Sequence, residues 1–421
     1  MHTLSDDAKA ILLLCGRFRG TSEEDPLDLR EYGRVVQWLR DARLRPADLL
    51  ALEHVPALAG ATGVSADRLQ ALLRRGVKLG FAVEQWNQSG IWVICRSDPE
   101  YPARYKSHLK ERAPPILFGA GERSLLKGGG LAIVGSRNVD AEGEAFARDT
   151  AAWCARQGLP VVSGGARGVD RIAMSGALEA GGLVVGVLAD SLLRASVSRE
   201  SRYALSEGRL LLVSPYHPEA GFSVGNAMGR NKLVYALADY GLVVSASDDR
   251  GGTWAGAVEE LKRESGRAVF VRMAGAVPKG NRRLIEYGAI PFPSIDAPDA
   301  DPDRLAALAA LRPRAQTESP MPLFARAMST PAAPAQVREP GASSSATAPS
   351  KPAEAEPAPP PASVYEAVLP VLLAALEEPA ATADLAERLE VSRPQLEAWL
   401  TRAVAENKVR RQTRPVRYSR I

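Results

Sequence analysis

The chain has 421 residues, more than one hydrophobic core usually organises, so two or three domains are expected. Hydrophobic residues at 46% and charged residues at 24% exclude a wholly disordered or collagen-like chain. A net charge of +4 is too weak to establish a polyanionic partner, so local basic clusters must carry any such argument.

Residues 1–95 read as a small helical domain, with apolar spacing at Val35, Val36 and Leu39 and again at Leu69, Leu72 and Leu73. Its segment LAGATGVSADRLQALLRRG suits a SAM-like or helix-hairpin-helix fold, whose turn amides can touch phosphates, and equally an ordinary helical bundle. From Leu131 to Pro293 short apolar runs alternate with helical segments: LAIV, PVVS, LVVGVL, RLLLV, GLVVSA, RAVFVR and AIPF. Near-continuous hydrophobic strands, each followed by a glycine-rich turn and a helix, predict an α/β fold. The expected architecture is an extended Rossmann-like, doubly wound parallel sheet over residues 96–300.

The turns after these strands are the candidate sites. The first strand ends in Gly135, Ser136 and Arg137, where glycine lets backbone approach an anion, serine donates a hydrogen bond and arginine clamps a phosphate; the triplet alone is also an ordinary turn. The second runs into Ser163, Gly164, Gly165, Ala166, Arg167, Gly168 and Asp170, which puts exposed amides and a cation at a helix start, with Asp170 as cap or arginine partner. A third cluster, Gly229, Arg230, Asn231 and Lys232, fits phosphate binding or a solvated helix face. Lys279 and Asn281 repeat the theme after the last long strand. Several glycine-plus-cation turns on one sheet favour a ligand with several phosphates, such as a nucleic-acid strand, over a neutral metabolite.

Residues 313–362, rich in Pro, Ala, Ser and Glu, read as a disordered linker. Residues 363–421 regain apolar periodicity as three helices and a hairpin, a winged-helix pattern in which Lys408, Arg410, Arg411, Arg414 and Arg417 suit contact with a nucleic-acid backbone. Cys15, Cys95 and Cys154 lie far apart, and the histidines lack ligand spacing, so neither a disulfide framework nor a metal or cofactor is expected. No apolar run reaches the roughly 18 to 20 residues needed to cross a bilayer, which points to the cytoplasm. Dinucleotide and Walker motifs do not occur in the sequence.

The ordered set AIVGSR, VVSGGARGVD, GALEAGG, GRNK, GLVV and GNRRLIEYGA, preceded by DPEYPARYKSHLKERAPPILFGAG, resembles the DprA/Smf family of DNA-processing proteins. The resemblance implies an extended Rossmann fold and no enzymatic turnover. It also implies binding of single-stranded DNA, a homodimer formed through the Rossmann domain, and delivery of a RecA-type recombinase onto the strand during DNA uptake. Arg137 matches the arginine of the family's GSR turn, and Gly229, Arg230 and Asn231 match its GRN turn. The chain departs from the pattern at SGGARGVD, at Lys232, at RGGTWAGAVEEL and at SLLRASVSRESRYA, where Arg199 is a loose substitute for a basic DNA contact. Two other readings stay open at this point. One is a DNA-sensing part of a phage-defence or mobile-element module. The other is a Lonely-guy-like nucleotide phosphoribohydrolase, echoed in part by Gly251, Gly252, Thr253 and Glu259.

Overall fold

Strands that are apolar on both sides demand cover on both faces of their sheet. In the computed structural model β3 (Leu131–Gly135) meets that demand by sending Leu131 and Ile133 into one core and Ala132 and Val134 into another. The structure describes residues 4–18, 25–263, 266–297 and 301–311, and, further on, 369–370, 372–376, 379–382, 384–385, 393–413 and 416–420.

The other strands of this sheet are β1 (Trp92–Cys95), β2 (Ile116–Gly121), β4 (Val161–Ser163), β5 (Val184–Val187), β6 (Leu210–Ser214), β7 (Tyr240–Ser245), β8 (Ala268–Val271) and β9 (Ile290–Pro291). They form one nine-stranded sheet in the order β1-β2-β6-β5-β4-β3-β7-β8-β9. Strands β6 to β9 of that order pair in parallel, while β2 joins β6, and β1 joins β2, antiparallel. This is the expected doubly wound α/β architecture, extended at one edge. The chain winds outward from β3 through β4 and β5 to β6, then returns to β7 on the other side. That reversal opens a crevice at the carboxyl ends of β3 and β7, where ligands of such sheets bind.

One face is covered by α7 (Ala141–Arg156), α8 (Val169–Glu179) and α14 (Pro302–Ala310), through Ala147, Ala151, Ala173 and Leu305. The other is covered by α6 (Ala103–Leu109), α11 (Val224–Leu237), α12 (Gly251–Lys262) and α13 (Lys279–Glu286), through Tyr105, Leu233, Trp254 and Leu284. Two short helices, α9 (Leu192–Ser196) and α10 (Arg199–Ser206), link β5 to β6.

The N-terminal helices are α1 (Asp6–Cys15), α2 (Leu29–Asp41), α3 (Val55–Thr62), α4 (Ala66–Leu73) and α5 (Gly76–Gln88). Their starts are chemically marked: Ser5 accepts from the Ala8 amide, and Asp28 and Glu31 form a reciprocal capping box. This layer shares a core with the sheet. Trp86 meets Phe118 edge to face at 4.8 Å, and Cys95 Sγ lies 3.6 Å from the Ala8 carbonyl. Trp92–Cys95, inside the span read as helical, is therefore a strand of the sheet.

The C-terminal unit, taken by itself, contains α15 (Arg393–Ala405) and an antiparallel hairpin of β10 (Val409–Thr413) and β11 (Val416–Arg420). Leu372, Leu376, Leu396, Leu400, Val409 and Tyr418 form its core. The segment read as a linker, 313–362, lies outside the described residues.

Candidate functional site

The glycine turns do meet at the crevice. Strand β3 ends in Gly135, and the Ser136 amide then donates to the Ser245 carbonyl of β7 at 2.9 Å. The Ser136 hydroxyl closes a tight loop by donating to the Asn138 carbonyl at 2.9 Å. Gly168 takes φ +84°, and a methyl there would strike the Ser136 and Arg137 carbonyls, so the turn after β4 stacks on the turn after β3 only because this residue is glycine. Thr253, in the first turn of α12, donates its hydroxyl to the Gly135 carbonyl at 3.0 Å. Asn231 of α11 donates to the Gly252 carbonyl at 2.9 Å.

Beneath these turns lies a closed ion pair. Arg230 Nη1 donates to Asp170 Oδ2 at 3.1 Å, with both side chains only 6% exposed. Burial pushes the Asp170 carboxyl above its ordinary range, while Arg230 and the backbone of Ala166 and Gly135 pull it back. A methyl on Gly164 would land on the Arg230 guanidinium, so that glycine is the hollow in which the cation sits. Arg230, expected from sequence to hold a phosphate, instead ties α11 to α8 beneath the rim. Two further expectations are corrected in the same way. The buried Ser163 hydroxyl donates to the Ile133 carbonyl at 2.6 Å. The buried Asn281 side chain accepts from the Ala246 amide at 2.9 Å and donates to the Val244 and Arg272 carbonyls at 3.0 Å, bracing the ends of β7 and β8. Side chains engaged by backbone in this way present nothing to a ligand.

Above the rim the cations are open. Arg137 is exposed and lies over the ring of Phe222, 5.0 Å from its centroid, and that ring is itself 56% exposed. Arg167 is exposed and donates to Asn138 Oδ1 at 2.7 Å. Arg137 and Arg167 line a shallow depression of about 600 Å³ together with Arg148 and Arg171, against Glu144 and Glu179. Lys279 is exposed at the start of α13, beside the end of β7, and Arg199 is exposed at the start of α10. Gly229 packs its bare Cα toward the Tyr216 hydroxyl. Lys232 is half-buried, and burial lowers its ammonium below the usual lysine range.

The model of the family described as DNA recombination-mediator protein A matches residues 92–297. The Smf protein of Escherichia coli is 34% identical over 264 residues, covering 61% of this chain and 67% of that protein. The chain belongs to the DprA/Smf family. The DprA protein of Bacillus subtilis is 28% identical over 218 residues, 50% of this chain and 71% of that protein. The structure of DprA from Streptococcus pneumoniae superposes with a TM-score of 0.54 at 18% identity, covering 73% of this chain and 98% of that one, a likeness of fold.

Within this DprA/Smf chain the family motifs divide between two jobs. The GSR turn presents Arg137 outward, whereas the GRN motif, which lies within α11 rather than in a turn, supplies Arg230 inward and Asn231 to a backbone carbonyl. Phe222, Arg148 and Arg171 carry no motif and were not anticipated. The signal available for Phe222 was an aromatic residue in the polar stretch that precedes the helix cap Ser223. The hydrolase echo is not assembled: Thr253 is engaged by Gly135, while Glu259 pairs with Arg112 at 3.5 Å and Arg263 at 3.1 Å. In the C-terminal unit Arg410 is exposed and Lys408 pairs with Glu406 at 2.7 Å. Arg414, and the side chains of Arg411 and Arg417, lie outside the described residues. No helix among the described residues is long and apolar enough to cross a membrane.

Proposed function

We propose that this chain is a single-stranded-DNA-binding protein that holds its ligand along the carboxyl rim of the sheet without turning it over. The observation that carries the reading is the exposed pairing of Arg137 with Phe222 beside Arg167: guanidinium groups meet phosphates, and an exposed ring stacks an unpaired base. Duplex bases are already stacked on one another and offer no face to such a ring. Because every base has a face to stack, the preference for sequence is weak. The DprA/Smf family membership and the glycine-opened turns support the same ligand.

On the family resemblance we infer further that the protein acts in the cytoplasm as a homodimer through its Rossmann domain. There it delivers a RecA-type recombinase onto the strand during DNA uptake or recombination. The C-terminal helix and hairpin are read as a winged helix, a separate unit that offers DNA its own Lys408 and Arg410.

Fluorescence anisotropy with a labelled oligothymidylate tests the rim directly. Binding falls steeply with salt, and Arg137→Ala combined with Arg167→Ala weakens it by about tenfold or more. Unchanged affinity in that double variant overturns the assignment.

A further inference from the structure

Cations also gather in a series of hollows that leads away from the rim. Asn226, Gly229 and Lys232 of α11 line a cleft of about 390 Å³ together with Arg112. Arg112 in turn borders a depression of about 670 Å³ with Lys110, Lys262 and Arg263. Lys110 and Glu111 then open a third, of about 450 Å³, ringed by Arg40, Arg96 and Lys106. Neighbouring hollows share lining residues, Arg112 between the first two and Lys110 and Glu111 between the last two, so the series runs from α11, past the end of α6, to the last turn of α2.

The charge along this path is positive and available. The third hollow sets four cations against Glu111, and Arg40, Lys106 and Lys110 are all exposed. In the middle hollow Glu259 is shared between Arg112 and Arg263. Its neighbour Glu260 is buried, with His108 Nε2 at 3.0 Å. Glu259 and Glu260 are thus engaged, and Lys110, Lys262 and the cations of the third hollow outnumber the exposed Glu111. A concave run of long cationic side chains follows a sugar-phosphate backbone and reads no bases.

We infer that a DNA strand held at the rim continues along this path, so that the N-terminal helical layer contributes to the binding surface through Arg40. The inference rests on the rim reading above. Its experiment compares the full-length chain with a triple variant, Arg40→Gln, Lys106→Gln and Lys110→Gln, on oligothymidylates of about 6 and about 20 nucleotides. The wild-type protein binds the longer strand more tightly. The variant keeps the short-strand affinity within about twofold and loses about tenfold on the long strand, and the slope of log affinity against log salt falls by about 2, at about 0.7 per neutralised phosphate. A variant that matches the wild type on the long strand, or that weakens both lengths equally, overturns the path and leaves the rim standing. A wild-type chain that retains neither strand overturns the rim first. The three substituted side chains are exposed, so an unchanged melting temperature confirms that the fold is intact.

Discussion

Arg230 and Arg137 both follow a glycine in family motifs near the same rim, yet Arg230, within α11, is buried against Asp170, while Arg137, in the turn after β3, lies open over Phe222. The contrast separates two reasons for putting glycine beside arginine. At Gly164 the missing side chain makes room for a guanidinium that locks two helices together, while at Gly168 it lets the turns after β3 and β4 stack at the rim, where Arg137 and Arg167 are exposed. A glycine-plus-arginine motif therefore marks where backbone and cation must come close, and says nothing of which side the cation faces.

Removing the buried cation gives the largest effect. Arg230→Ala leaves Asp170 uncompensated in the interior and costs about 3–5 kcal/mol of stability, read by urea denaturation. A loss below about 1 kcal/mol would erase the distinction between the two arginines. Gly164→Ala acts on the same pair from the other side, forcing the guanidinium out of its hollow, and lowers stability by about 1–3 kcal/mol in the same assay.

The exposed partner behaves in the opposite way. Phe222→Ala weakens single-strand binding by about 1–3 kcal/mol and shifts stability by less than about 0.5 kcal/mol, as anisotropy and denaturation on one preparation would show. Binding that survives the loss of the ring moves the base platform elsewhere.

An intermediate case lies in the N-terminal layer. Arg68 holds Glu31 at 2.7 Å with both side chains about one-fifth exposed, and the hydrogen bond from Arg68 holds the Glu31 carboxyl below its ordinary range. A depressed carboxyl contributes stability that is complete above its unfolded pKa and disappears as pH falls through the folded one. Glu31→Gln therefore costs at most about 1 kcal/mol near neutrality, and the difference from wild type shrinks on acidification in pH-stepped urea melts.

Much of this was legible in the residues. Runs such as LAIV and GLVV announce two-sided burial, and the turns they feed had to share one edge of a parallel sheet. What periodicity does not encode is the sign of exposure for a single polar side chain. Ser163, Arg230 and Asn281 resemble ligand contacts in one dimension because the same hydrogen-bonding groups serve phosphates, buried carboxylates and backbone carbonyls alike. The place of Trp92–Cys95 was hidden for another reason: its partner Ile116–Gly121 lies across an intervening helix, beyond the reach of local pattern.

The sheet ends at β9 in two residues, Ile290 and Pro291, and the ring of Pro291 takes the place of an amide hydrogen. A second polypeptide laid against that border would find almost no ladder to continue. Any self-association of this protein on that side must be built from helix flanks and loops, and fibrous stacking through the margin is disfavoured from the outset.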